Sequence, residues 1–240
     1  SSIGTKNTAP LPPLNLVGDF GGGGMVLAMG ICAALVEVAK SGKGQIIDSA
    51  MTDGSALLMS MMYGFYSAGI WNDHRESNLL DGAAHFYGCY ECKDNKFVSI
   101  GSIEPQFYQE LIKRLEVDEE TFKDQMDRSK WPELKKILEK KFKEKTREEW
   151  CEIMEGGDVC FAPVLSLEES INYKHNKDRE TFVNIDGVTQ PAPAPRFSNT
   201  PGKIKHPPVR KGENTREILK SIGKEDLVQE LIKSKIISEG

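Results

Sequence analysis

The segment Leu14-Asn-Leu-Val-Gly-Asp-Phe-Gly-Gly-Gly-Gly24 joins one acidic residue, Asp19, to four glycines and the start of a long apolar pattern. A carboxylate here is expected where a helix begins, with the unpaired N–H groups of the first turn facing whatever lies in front of them. Glycines let the backbone approach a ligand closely. The segment therefore suits proton transfer α to a carbonyl, which needs a proton carrier beside donors for an oxyanion. The alternative is an ordinary aspartate N-cap with glycines for tight packing.

The residues that follow this segment predict a layered α/β arrangement. Apolar residues recur at helical spacing over residues 25–40, and Ser41-Gly42-Lys43-Gly44 supplies a stop signal. Residues 45–48 then read as a buried strand, and residues 50–68 read as a second apolar helix. This α-β-α order is typical of an α/β domain.

A second unit is predicted after Trp71. Residues 86–92 and 97–101 form a strand–turn–strand pattern around Asp94-Asn95, and Pro105 suits the first turn of a helix that ends near Leu115. The predicted organisation is a flexible lead-in (1–13), part of a large domain (14–70), a linker (71–85), a small α+β domain (86–189), and a linker that returns to the large domain (190–240).

Composition indicates a globular chain that binds neither nucleic acid nor an anionic membrane. The 240 residues are 39% hydrophobic and carry a net charge of −5, with lysine and glutamate interspersed. The longest apolar run that we identify, residues 56–68, is too short and too mixed for a membrane span. No signal peptide is apparent, so we expect an intracellular, reducing compartment.

The five cysteines are predicted to be free thiols. Their spacing is irregular, and Cys89 and Cys92 form a lone CxxC within a predicted strand, where positions three apart face opposite sides. No second pair completes a zinc site, so no metal is predicted.

Several motifs occur in the same order as in one family. They are Gly42-Lys-Gly-Gln-Ile-Ile-Asp48, Asn78-Leu-Leu-Asp-Gly82, Gly101-Ser-Ile-Glu-Pro-Gln-Phe-Tyr108, Trp131-Pro-Glu-Leu, Glu149-Trp-Cys, Ala162-Pro-Val-Leu, Pro193-Ala-Pro and Gly212-Glu-Asn-Thr-Arg-Glu-Ile-Leu219. With the glycine segment, they resemble the α-methylacyl-CoA racemases of the family III CoA-transferase superfamily. The resemblance covers nearly the whole chain from Leu14, although members of that family are considerably longer.

The resemblance implies a large Rossmann-like domain, of which this chain holds part, plus a smaller α+β domain. It also implies a homodimer of interlocked subunits, with the active site between the large domain of one subunit and the small domain of the other. The expected substrate is an acyl-CoA thioester, with coenzyme A as part of the substrate and no other cofactor. The expected compartment is the peroxisome, the mitochondrion or both.

The resemblance also assigns roles to individual residues. Asp19 is expected to be one of two catalytic acid/bases, and the motif around it predicts substrate contacts at Phe20, Gly21 and Gly22. The second base, a histidine, is expected in an N-terminal part that this sequence does not contain, so the chain alone is expected to be nearly inactive.

Glu104 matches the family position that orients the histidine of the partner subunit, an orienting role known from other catalytic histidines. A plain surface glutamate is the alternative. Leu80, Tyr87 and Ile103 match positions that line the acyl pocket, and all three are also good core residues. His85 stands where close relatives usually carry proline, so it could lie near the site, although we do not expect it to replace the missing base.

Two rival functions remain open. One is a family III CoA transferase that works through an aspartyl anhydride, which the Ile103-Glu-Pro-Gln-Phe-Tyr108 block disfavours. The other is a noncatalytic isoform that only associates with full-length subunits.

Overall fold

The N-terminal part of the chain is helical and largely exposed. The computed structural model describes residues 2–238, and in it a π-helical segment, Leu16–Met25, continues directly into helix α1 (Val26–Ser41). Helices α2 (Met51–Leu58) and α3 (Ser60–Ser67) follow. The stop predicted after α1 is confirmed, because Gly42 takes the left-handed conformation (φ 70°) and its N–H bonds to Val38.

The strand predicted at residues 45–48 is wrong. These residues adopt no regular structure, and the side chain of Ile46 is 97% exposed. A strand forms only where a neighbour accepts its backbone hydrogen bonds, and within residues 2–238 no strand lies beside this segment. The helix predicted over residues 50–68 is present, but it is interrupted at Met59 between α2 and α3.

The middle of the chain forms a three-stranded antiparallel sheet in the order β1-β2-β3. Strands β1 (Tyr87–Glu91) and β2 (Phe97–Gly101) form the predicted hairpin, with Asn95 at a positive φ of 59° in its turn. Strand β3 (Phe161–Val164) pairs with β2. Cys89 is exposed and Cys92 is buried, as the alternation of side chains along a strand predicts.

Four helices lie between β2 and β3 and build the main core. They are α4 (Pro105–Leu115), α5 (Glu119–Phe122), α6 (Trp131–Phe142) and α7 (Arg147–Met154). Proline occupies the first turn of α4 and α6, and a capping box formed by Thr146 and Glu149 begins α7. Their apolar faces enclose a cluster of buried side chains that includes Phe86, Tyr90, Val98, Leu111, Leu115, Phe122, Trp131, Leu138, Phe142 and Trp150.

The chain divides into two compact units between Val164 and Leu165. The second unit contains α8 (Leu167–Asn172), α9 (Lys174–Asp178), the hairpin β4 (Phe182–Ile185) and β5 (Val188–Pro191), α10 (Thr215–Ser221), a 3-10 turn (Glu225–Leu227) and α11 (Val228–Lys233). The architecture is therefore mixed α/β, as predicted. The division groups residues 14–70 with residues 86–164, whereas the sequence assigned these ranges to different domains, and that assignment stays a prediction.

The apolar N-terminal helix is longer than the sequence analysis recognised. Within the continuous helical stretch Leu16–Ser41, a segment of 18 residues has a mean hydropathy of 1.8, and only 6% of that segment is buried. By length and composition alone it could cross a membrane, although core helices of soluble proteins pass the same test. Residues 56–68 are therefore not the most membrane-like part of the chain.

Candidate functional site

Asp19 lies within the first turn of a helix rather than in front of it. The helix begins at Leu16 as a π-helical turn, in which the N–H of Phe20 donates to the carbonyl of Asn15, five residues back, at 3.1 Å. The expectation that the helix begins after the glycines is therefore wrong. The Asp19 side chain is nevertheless exposed at the N-terminal end of the helix, where first-turn N–H groups lack intrahelical acceptors. π-Helical turns are rare and recur at functional sites.

The glycines after Asp19 pack against α2. A Cβ atom on Gly22 would lie 2.7 Å from the backbone nitrogen of Ser55, and one on Gly21 would lie 3.2 Å from the side chain of Leu58. Gly22 is also the only buried residue of the π-helical segment. The structure thus gives Gly22 a packing role, and its predicted substrate contact stays a prediction. Phe20 is 55% exposed, so its ring is available to a ligand.

A second group of candidate residues lies at one end of the three-stranded sheet. Tyr87 stands opposite Gly101 in the β1–β2 register, and its ring lies 3.6 Å from the position of a Cβ on Gly101. The N–H of Gly101 donates to the carbonyl of Cys160 at 2.9 Å. Glu104, an exposed residue, is the N-cap residue of α4, and its side chain makes no capping bond. Its carboxylate is close enough to Cys160 to affect that thiol.

The thiol of Cys160 reports on this neighbourhood. Although Cys160 is exposed, desolvation by neighbouring atoms raises its pKa, and the carboxylates of Glu104 and Asp158 raise the pKa further because they disfavour a thiolate. Sequence reasoning did not single out Cys160. Its position depends on the pairing of β3 with β2, and no motif in the sequence predicts that pairing.

The turn between Gly101 and Glu104 is fixed by a residue that the sequence analysis missed. Gln125 is 8% exposed, and its side-chain amide donates to the carbonyls of Ser102 at 3.0 Å and Ile103 at 2.9 Å. Ile103 packs at the margin of the core. Its predicted role in an acyl pocket and its role in packing are both compatible with this half-buried position.

Leu80 lies on a loop that its own polar residues hold together. The buried side chain of Asn78 donates to the carbonyl of Asn72 at 3.0 Å and to the carboxylate of Asp81 at 2.8 Å. Asp81 in turn accepts the N–H of Asn78 at 2.9 Å. These bonds explain why Asn78-Leu-Leu-Asp-Gly82 forms a turn, and they leave Leu80 half-buried.

His85 is a core residue with no access to substrate. Its ring is fully buried, in edge-to-face contact with Phe86 and Tyr108. The Tyr108 hydroxyl donates its single proton to the carbonyl of Phe122 at 2.9 Å, so the Nε2–H of His85 must donate to the Tyr108 oxygen at 2.7 Å. Its Nδ1 then has no hydrogen-bond partner among the described residues. Burial lowers the pKa of His85 to about 4, so the ring is neutral at physiological pH.

A cavity lies beside α4 and α5. It has a volume of about 1120 Å³, and Pro105, Tyr108, Phe122 and Gln125 contribute to its walls. Both basic and acidic side chains line it, and Tyr87, Ile103 and Glu104 do not. The cavity is therefore adjacent to the Glu104 turn but separate from the face that Tyr87 presents.

The candidate residues form two separate groups within residues 2–238. No hydrogen bond or ion pair joins the Asp19 side chain to Glu104 or to a histidine in this part of the chain. Tyr87, Ile103 and Glu104 share the end of the sheet, whereas Asp19, Phe20 and Gly21 lie on the N-terminal helix. In the same range, no cluster of three histidine, cysteine, aspartate or glutamate residues has metal-binding geometry.

Comparison with known sequences gives a consistent assignment. Residues 1–215 match CoA-transferase family III. The chain is 43% identical over 235 residues to the α-methylacyl-CoA racemase of Mus musculus and 42% identical over 226 residues to that of Homo sapiens. These matches cover 95% and 93% of this chain, but 61% and 59% of the relatives. The chain thus spans about 60% of the length of the curated relatives it matches.

Solved structures share the fold at lower identity. A CaiB/BaiF family protein from Brucella suis superimposes with a TM-score of 0.71 at 20% identity, covering 92% of this chain and 59% of that protein. A hypothetical protein from Mycobacterium tuberculosis superimposes with a TM-score of 0.67 at 19% identity, covering 88% and 57% of the two chains. At these identities the likeness establishes the fold alone.

Proposed function

Because this chain belongs to CoA-transferase family III, we propose that the whole protein is a racemase of 2-methyl-branched acyl-CoA thioesters. The observation that carries the proposal is the 43% identity to a named α-methylacyl-CoA racemase over 95% of this chain. The exposed position of Asp19 in the first turn of a helix supports it, because a proton carrier must reach the α-carbon of a bound substrate.

The proposed reaction is a proton transfer between two bases on opposite faces of the α-carbon. Asp19 exchanges a proton with the α-carbon on one face, and a second group does so on the other, so that the configuration inverts. The enolate oxygen that forms in between needs hydrogen-bond donors, and the N–H groups in the first turn of the Leu16–Met25 helix are the nearest candidates. Coenzyme A takes part only as a portion of the substrate, and the proposed chemistry requires no metal or redox cofactor.

The second base is proposed to be a histidine outside the 240 residues. The curated racemases are longer than their matched regions, so they contain residues with no counterpart here. His85 is excluded by its complete burial and its bond to Tyr108. Glu104 is proposed to orient the second base, with Leu80, Tyr87 and Ile103 lining the acyl pocket.

We propose that the two groups of candidate residues meet in an interlocked homodimer, with Asp19 of one subunit facing Glu104 of the other. The large domain would be Rossmann-like once its remaining elements are present. The exposure of α1 supports this arrangement, because none of its residues is buried and its apolar side chains require a cover in water.

One assay separates the racemase from the rival CoA transferase. The whole protein is incubated with one epimer of a 2-methylacyl-CoA in D₂O, with and without a free carboxylic acid. A racemase incorporates one deuterium at C2 and produces the other epimer without any acceptor acid. A transferase leaves C2 unlabelled and passes coenzyme A to the acid, which would overturn the proposal. The transferase is the second candidate because named CoA-transferases are 24–26% identical to the chain.

A further inference from the structure

Gln125 forms hydrogen bonds through both its backbone carbonyl and its side-chain amide. Its backbone carbonyl accepts a 2.8 Å hydrogen bond from the indole N–H of Trp131, a fully packed residue at the start of α6. Both protons of its side-chain amide are used, one on the carbonyl of Ser102 and one on the carbonyl of Ile103. Both side-chain donors of this buried glutamine are therefore bonded, and leaving them unpaired in the core would be costly.

The turn between Gly101 and Glu104 forms further hydrogen bonds with the rest of the core. The N–H of Ser102 donates to the carbonyl of Phe86 at 3.0 Å, and its buried hydroxyl donates to the carbonyl of Val159 at 2.6 Å. The N–H of Ile103 donates to the carbonyl of Gly101 at 2.9 Å. Among residues 2–238, only Gln125 donates hydrogen bonds to the two consecutive carbonyls that immediately precede Glu104. These bonds restrain the backbone where the chain enters α4.

We propose that Gln125 is a positioning residue for Glu104, acting through the backbone of Ser102 and Ile103. Glu104 has no capping bond of its own, so nothing in its own side chain fixes where its carboxylate points. The amide of Gln125 restrains the backbone from which the Glu104 side chain projects. The inference rests on the proposed function for the significance of Glu104, and it deepens that function by naming the residue that holds Glu104 in place.

Cys160 provides a local reporter of where Glu104 lies. Two carboxylates, Glu104 and Asp158, act on this thiol, and both disfavour its ionisation. If Glu104 moves away, the thiolate fraction at a given pH increases and alkylation becomes faster. The measurement needs no substrate and no racemase activity. A failure of the proposal that Gln125 positions Glu104 is therefore distinguishable from a failure of the proposed function.

The experiment measures the pH dependence of iodoacetamide labelling at Cys160, identified by mass spectrometry of its peptide. The variants are Gln125→Met, which keeps the length of the side chain but cannot donate, Glu104→Gln, and the double variant. Gln109→Met is the matched control, because Gln109 is an exposed glutamine on α4. Labelling of Cys32, an exposed thiol on α1, is followed in the same samples as an internal reference. Circular dichroism establishes that each variant is folded.

We expect Glu104→Gln and Gln125→Met each to accelerate Cys160 labelling about threefold to fivefold near pH 7.5, as for removal of one nearby charge in a wet environment. The double variant should be no faster than Glu104→Gln alone, and Gln109→Met and Cys32 should not respond. Labelling of a folded Gln125→Met at the unmodified rate would overturn the proposal. An equal acceleration by Gln125→Met in the Glu104→Gln background would also overturn it, and so would loss of the whole fold, since Gln125 would then hold the core rather than Glu104.

Discussion

Gly22 and Gly54 are in backbone contact. A Cβ atom on Gly54 would lie 1.8 Å from the carbonyl oxygen of Gly22, well inside the 3.0 Å limit that real Cβ atoms respect. The π-helical segment and α2 therefore pack closely only because both residues lack a side chain.

Gly54→Ala should separate the two helices. We expect it to destabilise the chain by about 1–3 kcal/mol, as overpacking does. Gly64→Ala is the control, since Gly64 lies in α3 with no atom within 4 Å of its Cβ position, and there alanine should stabilise by about 0.5–1 kcal/mol. Urea unfolding followed by circular dichroism compares the two. Equal effects of the same sign would refute the close contact.

The buried His85 should make the first unit, which contains the three-stranded sheet, sensitive to mild acid. Its pKa is about 4 in the folded chain and 6.5 in its ordinary state, so the unfolded chain binds more protons between these values. The stabilising contribution is thus present above pH 6.5 and is lost as the pH falls towards 4, by about 3 kcal/mol over that window.

His85→Gln keeps a donor for Tyr108 but does not titrate in this window. We expect its free energy of unfolding to change less between pH 6.5 and 4 than that of the unmodified chain. The difference between the two changes should be at most about 3 kcal/mol. His175→Gln, at an exposed position on α9, should reproduce the unmodified pH profile. Parallel profiles for His85→Gln and the unmodified chain would contradict this prediction, because they would show that His85 has the same pKa in the folded and the unfolded state.

The exposed apolar face of α1 should be an association surface. Leu35 on α1 is 62% exposed and Leu167 on α8 is 89% exposed, so both tolerate a charge equally well if solvent surrounds them. In the proposed dimer, Leu35→Glu shifts the chain to monomer in light scattering, whereas Leu167→Glu leaves the mass unchanged. Recovery of the unmodified chain in membranes, with release only by detergent, would indicate that Leu16–Ser41 inserts into lipid instead.

Local sequence patterns predicted parts of the three-stranded sheet and its helices well. Pro105 and Leu115 are the ends of α4, and strands β1 and β2 form a hairpin around Asp94-Asn95, as predicted. These features depend on residues a few positions apart. The strand at residues 45–48 failed because strand formation requires a distant partner, which local hydrophobicity does not reveal.

The candidate site could be predicted only in part, because some of its contacts join residues that are distant in the sequence. Glu104 could be singled out because it precedes a proline within a family motif. Gln125 carries no such signal, since its importance comes from carbonyls 22 and 23 residues away in the sequence. The packing role of Gly22 likewise depends on Gly54, and the glycine run alone could not distinguish a contact with a helix from a contact with a ligand.

Glu104→Gln should slow the proposed racemisation without abolishing it. The change removes the negative charge that orients and favours a charged imidazolium, so we expect the whole protein to lose about 10–100-fold in rate, by analogy with second-shell changes at metal sites. Glu133→Gln, at an exposed position in the first turn of α6, should leave the rate unchanged. Steady-state rates from both epimers of one substrate test this. A loss as large as that for Asp19→Asn would place Glu104 on the substrate.

Deuterium incorporation at C2 of a 2-methylacyl-CoA in D₂O tests the role of Asp19 most directly. In the whole protein, Asp19→Asn keeps the size of the side chain but cannot carry a proton at neutral pH, so inversion should fall by at least about 10²–10⁴-fold while the circular dichroism spectrum is unchanged. The 240-residue chain alone should show similarly weak exchange, because it is proposed to lack the second base. Racemisation by Asp19→Asn at the unmodified rate, from either epimer, would contradict the account and leave Asp19 as a helix-terminal carboxylate.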